Sequence, residues 1–391
     1  MLLYERKNDM KFIHLSDLHL GIRVNDFSML EDQKYILDRI INIIDLEKPD
    51  AVIIAGDVYD KSVPPAEAVV MFDGFISRLA QRKLHTFIIS GNHDSAERIS
   101  FGSEVMNSAG IHISPVFSGK IPPVSLTDEY GTVNVYMLPF VRPSAVRAFF
   151  PDDDTDSFSS AVETAVRNMN IDTHKRNIII THQFVTGALR SDSEDFSVGG
   201  TDNVNADIFN DFDYTALGHI HRPQNVGSEK IRYCGTPLKY SFSEANHTKS
   251  VTIAELKEKG TLEIRTSELI PLRDMREIKG AYDELMKKSF YEGTGLTEDY
   301  VHITLTDESD IPDAVSKLRT IYRNLMKLDY DNSRTRVQNV ISGTDSVNQT
   351  DPIELFAGFF KEQNNLPMND EQSAFAEEVI REIFESEVSV L

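Results

Sequence analysis

The sequence predicts an α/β fold, on three observations. Several short apolar runs are unbroken rather than alternating, which is how strands covered on both faces read. The stretches between the first of these runs carry apolar residues at helical spacing. Most of the runs hand over to Asp, Asn or His within a few residues, and ligands of open α/β sheets collect beyond the carboxyl ends of strands.

In chain order, residues 1–9 read as an N-terminal extension and KFIHL (11–15) as the first strand. A helix follows over 29–47, where Leu30, Gln33, Leu37, Ile40, Ile41 and Ile44 fall near one face. AVIIA (51–55) is the second strand, stopped by Gly56 and handing over Asp57. Residues 66–82 repeat the helical stripe through Val69, Val70, Phe72, Phe75, Ile76 and Leu79, and HTFIIS (85–90) is the third strand. VNVYML (133–138), NIIIT (177–181), YTALG (214–218) and VTIAEL (251–256) add a second sheet or antiparallel edges. Residues 188–206 are polar, with a Gly pair and no periodicity, and long loops of this kind inside a domain are usually functional.

After Pro271 the pattern changes, dividing the chain into 10–270, 271–345 and 346–391. The middle segment predicts a small α+β domain: a helix around 280–290, a strand at Tyr300–Thr306, a helix from about Pro312 to Leu328 and a strand-like RTRVQNVIS. Arg319, Arg323 and Lys327, four apart on that second helix, form a basic stripe that serves as a solvated face or as a contact to a phosphate backbone. Asp351-Pro352 opens an amphipathic helix with Ile353, Phe356, Ala357 and Phe360 on one face. Beyond a turn at 364–369 a second carries Phe375, Val379, Ile380, Ile383 and Phe384, so the chain ends in an acidic helical hairpin that packs on its own chain or on a partner.

Across 391 residues, 40% hydrophobic and 26% charged residues are ordinary globular composition. No stretch suits a signal peptide or a membrane span of about 18 apolar residues, so a cytoplasmic protein without membrane contact is expected. The single cysteine, Cys234, excludes an intrachain disulfide and reads as a small buried side chain. A formal charge of −22 argues against nucleic acid unless cations neutralise some of the carboxylates. The charge is uneven, since residues 351–391 hold ten Asp and Glu against Lys361 and Arg381.

Five loops leave strands carrying hard-metal ligands: Asp17 and His19; Asp57 and Asp60; Asn92, His93 and Asp94; His182; and His219 with His221. Short links keep these side chains at the sheet rim, where residues far apart in sequence can meet. Imidazole, carboxylate and amide donors without thiolate suit Mn²⁺, Fe²⁺, Zn²⁺ or Mg²⁺ better than a closed structural zinc. Two divalent ions about 3.5–4 Å apart need a shared carboxylate, for which Asp57 is the candidate, and such a pair clamps a phosphoester for in-line displacement. His93 could supply the leaving oxygen with a proton, and Asp60 is placed to orient its imidazole. His14, His85, His112, His174, His247 and His302 read as ordinary core or surface histidines.

The series D-x-H, GDxxD, GNHD, H, GHxH resembles the calcineurin-like metallophosphoesterase superfamily, which implies a four-layer α/β/β/α sandwich. HLSDLHLG (14–21), GDVYDKSVPP (56–65), SDSEDFSVGG (191–200), ALGHIHRPQ (216–224) and GTPLKYSFSEA (235–245) resemble the SbcD family of bacterial nucleases. The resemblance covers about residues 10–270, and DPIELF with the hairpin after it is similar to that family's partner-binding tail. It implies one metal on Asp17, His19, Asp57 and His221, a second on Asp57, Asn92, His182 and His219, and His93 in the proton or transition-state role. It implies a double-strand exonuclease and single-strand or hairpin endonuclease with two metal ions, Mn²⁺ or else Mg²⁺. It also implies an SMC-like coiled-coil ATPase partner (SbcC) in DNA repair, recombination and replication, a homodimer within a heterotetramer, and a capping role for 271–345. The alternatives are a small-molecule or cyclic-nucleotide phosphodiesterase on the same core, and a non-catalytic scaffold that tethers DNA or the ATPase.

Overall fold

The computed structural model describes residues 9–194 and 202–333, with scattered positions from 335 to 379. The chain clusters into two units, Met1–Asp195 with Asp202–Asn332, and Phe196–Thr201 with Ser333–Leu391.

The first unit begins with β1 (Met10–Leu15), α1 (Leu30–Glu47), β2 (Ala51–Ala55), α2 (Ala66–Gln81), β3 (His85–Ile89) and β4 (Ile111–Ile113), whose four strands pair in parallel. The chain then builds a second sheet from β5 (Val124–Asp128), β6 (Gly131–Leu138), β7 (Arg176–His182), β8 (Tyr214–Gly218), β9 (Gln224–Val226) and β10 (Ser228–Tyr233). Helix α3 (Phe158–Arg167) lies between β6 and β7. Finally β11 (Ser250–Leu256) and β12 (Leu262–Glu268) return to the first sheet, β11 antiparallel to β1 and β12 antiparallel to β11. The orders are β12-β11-β1-β2-β3-β4 and β9-β10-β8-β7-β6-β5.

Period-two alternation explains the layering. In β2, Ala51, Ile53 and Ala55 join Phe12, Phe87, Ile89, Val133, Val135, Ile178, Ile180 and Ala216 in a core between the two sheets. Val52 and Ile54 point the other way, into a core with Ile36, Ile40 and Ile44 of α1 and Phe75 and Leu79 of α2. The outer face of the second sheet packs Leu138, Ile179 and Leu217 against Ala161, Val162 and Ala165 of α3. Both faces of both sheets are therefore covered, which makes an α/β/β/α sandwich and accounts for the unbroken apolar runs.

Residues 275–330 form a third, parallel sheet of β13 (Met275–Gly280), β14 (Tyr300–Leu305) and β15 (Leu325–Tyr330). It rests on α1: Tyr300 donates its hydroxyl to Asp32 (2.7 Å), and the Arg273 guanidinium is 2.8 Å from the same carboxylate. The helix expected over 312–328 is only α4 (Ala314–Leu318), and Leu325–Tyr330 is a strand. A Leu, Met and Tyr run beside β14 gains more from a sheet edge than from extending a short helix. The basic stripe fails with it. Arg319 caps α4 and donates to the Leu325 carbonyl (3.1 Å), Lys327 pairs with Asp329 (2.8 Å), and Arg323 lies 3.9 Å from Glu298. All of RTRVQNVIS but Thr335, most of the terminal hairpin and 195–201 of the polar loop fall outside the described residues. Within the hairpin, Asn369 and Gln372 exchange side-chain-to-backbone bonds of 3.0 and 2.9 Å, and residues 372–376 are helical. Among the described residues no helix is long and apolar enough to cross a membrane.

Candidate metal centre

Parallel pairing puts the carboxyl ends of β1, β2, β3, β7 and β8 along one edge of the sandwich, so the loops after them converge. Those loops are laced by main-chain bonds: Asp17 N–H to the Gly56 carbonyl (3.0 Å), His19 N–H to the Asp57 carbonyl (3.0 Å), and Leu20 N–H to the Val58 carbonyl (2.9 Å). Asp17, His19, Asp57 and His219 have φ of 52°, 42°, 46° and 104°, which non-glycine residues adopt only where surroundings over-determine them. Residues strained to present side chains inward, just beyond the ends of three different strands, mark a site rather than a fold requirement.

Three glycines permit the approach. A Cβ on Gly91 would lie 2.1 Å from Asp57 Oδ1, one on Gly218 1.8 Å from the Ala55 carbonyl oxygen, and one on Gly56 2.4 Å from His182 Nδ1. The two sheets meet here with no room for a methyl group.

All seven sequence-nominated ligands come together. His19 Nε2 and His221 Nε2 are 3.2 Å apart, and with Asp17 they form one group of mutually close donor atoms. Asp17, Asp57 and His182 form another, with His182 Nε2 at 3.2 Å from Asp57 Oδ2. His182 Nε2 and His219 Nδ1 each lie 3.0 Å from Asn92 Oδ1. The Asp57 carboxylate stands between the halves, since its Oδ2 is also 3.7 Å from His19 Nε2. His182 Nδ1 faces the Ala55 carbonyl at 2.8 Å; a carbonyl only accepts, so Nδ1 carries hydrogen and Nε2 is left to act as a ligand.

His93 joins His19 and Asp57 in a third close group, and its N–H donates to Asp57 Oδ1 (2.9 Å). The contact that turns its ring toward residue 60 comes from the backbone: His93 Nδ1 bonds the Asp60 carbonyl at 3.0 Å. The Asp60 main chain thus orients this imidazole. The six other histidines lie elsewhere; His14 Nδ1, for instance, bonds the Tyr214 hydroxyl (2.8 Å) and His302 Nε2 faces Asp329 (2.8 Å).

Electrostatics fit a divalent cation. Burial disfavours charge on every member, yet the His182 imidazole beside Asp57 drives that carboxyl well below its usual range. Burial likewise opposes the imidazolium of His182, but Asp57 outweighs it and raises this histidine to about 9. Burial holds His19 and His219 well below the ordinary range, so both are neutral with lone pairs to offer. Burial raises Asp17 despite nearby imidazoles. Protein alone thus answers the Asp57 charge with a proton on His182, a charge that a bound divalent ion would supply instead. His19 presents Nε2 to this cluster, 3.2 Å from His221 Nε2 and 3.7 Å from Asp57 Oδ2, in a donor set that suits such an ion.

Sequence reasoning placed Asp94 among the ligand-bearing loops and missed its supporting role, along with the other groups that hold the nominated residues. Asp94 accepts from the N–H groups of Val58 (3.0 Å), Tyr59 (3.0 Å) and Gly91 (2.9 Å), binding two ligand loops together. Burial, then the Asp57 charge, push its carboxyl up to about 6. Gln33 donates to the His19 carbonyl (2.7 Å) and accepts from Gly21 N–H (3.0 Å). Its signal was a polar residue at a core position of the α1 stripe. Ser193, Glu194, Glu244 and Lys249 surround His221, and for them only the pairing of two buried charges would have been a clue. Cys234 is buried, and burial pushes its thiol far up, as expected of a packing residue.

Residues 10–223 match the family described as calcineurin-like phosphoesterase, and residues 271–364 the one described as type 5 capsule protein repressor C-terminal domain. The chain is 34% identical over 323 residues to the SbcD component of the SbcCD nuclease of Staphylococcus epidermidis, covering 82% of this chain and 85% of that one. Against the protein of the same name from Staphylococcus saprophyticus the figures are 35% over 326 residues, 82% and 84%. A dimetal phosphatase from Danio rerio is 10% identical with a TM-score of 0.39, covering 67% of this chain and 98% of its own.

Proposed function

This chain belongs to the calcineurin-like phosphoesterase family, and from its kinship with the SbcD nucleases we propose that it is a metal-dependent DNA nuclease. In this reading one ion is held by Asp17, His19, Asp57 and His221, and the other by Asp57, Asn92, His182 and His219. The observation that carries it is Asp57, whose Oδ2 lies 3.2 Å from one ligand group and 3.7 Å from the other. A pair of divalent ions there supplies positive charge to the non-ester oxygens of a phosphodiester and acidifies an attacking water.

The chain's own residues do the rest. His93 lies beside the cluster without being assigned to either ion. Its Nδ1 hydrogen is committed to the Asp60 carbonyl, so the proton it gives to the leaving oxygen, or the hydrogen bond it offers to the developing charge, comes from Nε2. Asp60 is a positioning residue through its backbone. Asp94 and Gln33 hold the loops in register, and the glycines keep the cleft closed around the ligands.

The finer features follow the same kinship. The enzyme acts as a double-strand exonuclease and a single-strand or hairpin endonuclease, in the cytoplasm, with Mn²⁺ preferred and Mg²⁺ a substitute. It works with an SMC-like ATPase, SbcC, which residues 346–391 engage, while residues 271–345 cap the site. A second copy completes the unit, giving a homodimer within a heterotetramer. Val63, Val70, Phe101 and Val105, exposed at 67, 71, 82 and 77%, leave apolar surface for it. The Arg98 guanidinium bonds the Ser62 carbonyl (2.7 Å), bringing two of these segments together.

Digestion of a blunt duplex with Mn²⁺, with and without the ATPase, tests the reading beside a generic aryl phosphodiester. Duplex cleavage should be lost in Asp57→Ala, whose binding isotherm should show both ions weakened. Aryl phosphodiester turnover with no duplex cleavage under either condition would instead make the chain a small-molecule phosphodiesterase.

A further inference from the structure

Every polar atom of His221 other than Nε2 is engaged by a neighbouring group. Its N–H donates to Glu194 Oε1 (2.6 Å). Its carbonyl accepts from the Lys249 ammonium (2.9 Å) and from Thr236 N–H (3.2 Å). Its Nδ1 lies 2.7 Å from Ser193 Oγ and 3.6 Å from Glu244 Oε1. The Ser193 hydroxyl has one hydrogen, which it gives to the Glu244 carboxylate. The serine oxygen must therefore accept at His221, so Nδ1 carries the hydrogen and the lone pair is confined to Nε2. That nitrogen faces His19 Nε2 at 3.2 Å.

What fixes Glu244 is Lys249. The ammonium bonds Glu244 Oε2 and Thr236 Oγ1 (2.7 Å), and the two charged side chains, Glu244 and Lys249, are 0% and 3% exposed. Taking such a pair out of water is costly, so it persists here because each member satisfies further groups. Among those groups are the His221 carbonyl and the Ser193 and Thr236 hydroxyls beside it. His19 offers the contrast, since its Nδ1 is buried with no hydrogen-bond partner.

We propose that Glu244, held by Lys249 and acting through Ser193, is the positioning residue for the metal ligand His221, setting its tautomer and aiming Nε2. The inference rests on His221 being a ligand of the ion shared with Asp17 and His19. Outer groups that orient a ligating histidine are worth about 10–100-fold in metal affinity. Their loss should fall on one ion, because His182 is aimed independently by the Ala55 carbonyl.

The test is calorimetric Mn²⁺ titration of the metal-free full-length protein, with its melting temperature read in the same samples. Three proteins are compared: wild type, Ser193→Ala, and Glu244→Gln with Lys249→Met, the last removing both buried charges together. Wild type should bind two ions. Each variant should keep the wild-type melting temperature without metal and one wild-type site, and bind the other ion weaker by about 10–100-fold for the double variant and about 5-fold for Ser193→Ala. Two unchanged sites would overturn the positioning role, as would equal weakening of both sites with a lowered melting temperature. If the double variant does not fold, Ser193→Ala decides. Failure of wild type to bind any ion would overturn the metal reading itself, which the variants leave separate.

Discussion

Replacing Gly218 by Ala tests how closely the two sheets meet. The new Cβ would stand 1.8 Å from the Ala55 carbonyl oxygen and 2.7 Å from His182 Nδ1, whereas Cβ atoms do not approach such neighbours closer than 3.0 Å. The ends of β2 and β8 must separate by about 1.2 Å, which is more than the roughly 0.5 Å within which a site must hold its ligands. The carbonyl that moves is also the one that aims His182. Overpacking costs about 1–3 kcal/mol, and leaving the buried His182–Ala55 pair unmade a further ~1–3 kcal/mol. At about 2–4 °C per kcal/mol, melting should fall by on the order of 4–24 °C. Asp57 and His219 move apart with their strands, so Mn²⁺ affinity should drop more than about tenfold. The control is Gly74→Ala inside α2, where a Cβ meets nothing within 4 Å and a helical alanine should gain about 1 kcal/mol. Differential scanning calorimetry with Mn²⁺ titration reads both. A Gly218→Ala protein that melts with wild type and binds two ions unchanged would refute the close approach and with it the geometry of the cleft.

Two further outcomes follow from buried titratable groups. Arg176 starts β7 at the far end from the cleft, 2% exposed, bonding Asp128 (2.9 Å) and the carbonyls of Gly131 (2.8 Å) and Lys257 (2.9 Å). Arg176→Ala strands that carboxylate at a cost of about 3–5 kcal/mol, so calorimetric melting should drop while Mn²⁺ stoichiometry stays at the wild-type value. His14 is fully buried, and burial, then the Arg232 charge, lower it to about 3. The folded protein excludes a proton that the unfolded chain takes up below about pH 6.5, so this stability is complete above that pH and is lost toward pH 3. The stability gap between wild type and His14→Gln, from urea melts, should therefore narrow by about 2 kcal/mol from pH 6.5 to 5; a constant gap would contradict the buried neutral imidazole.

The sandwich was legible because its strands are buried on both faces. AVIIA and YTALG stand as strands over the very residues expected, Ala51–Ala55 and Tyr214–Gly218, since a continuous apolar run between turn residues has little else to form. Edge and hairpin strands were not legible. Leu262–Glu268 mixes partly exposed and exposed residues and holds its place by pairing with Ser250–Leu256, a contact that no local pattern announces. The same cause misplaced Leu325–Tyr330. Its spacing from Leu318 and Tyr322 satisfies a helical stripe, and only the neighbouring Tyr300–Leu305 strand makes it a sheet member.

The nominated ligands were legible for a different reason: each follows a strand end by a few residues, so topology alone delivers them to one edge, whatever the intervening sequence. The groups that aim them obey no such rule. Glu194 and Ser193 come from the polar loop, Glu244 and Lys249 from the approach to β11, and Gln33 from a helix, and they meet the ligands only because the sandwich is assembled. Their only sequence signal is negative, a polar residue where burial should make it costly. Asp60 illustrates the limit from the other side. The bond from His93 Nδ1 runs to its backbone carbonyl, and an orienting contact made by the main chain survives a change of side chain. A candidate ligand set can therefore be read from spacing, whereas the tautomer of each histidine depends on acceptors that sequence spacing does not reveal.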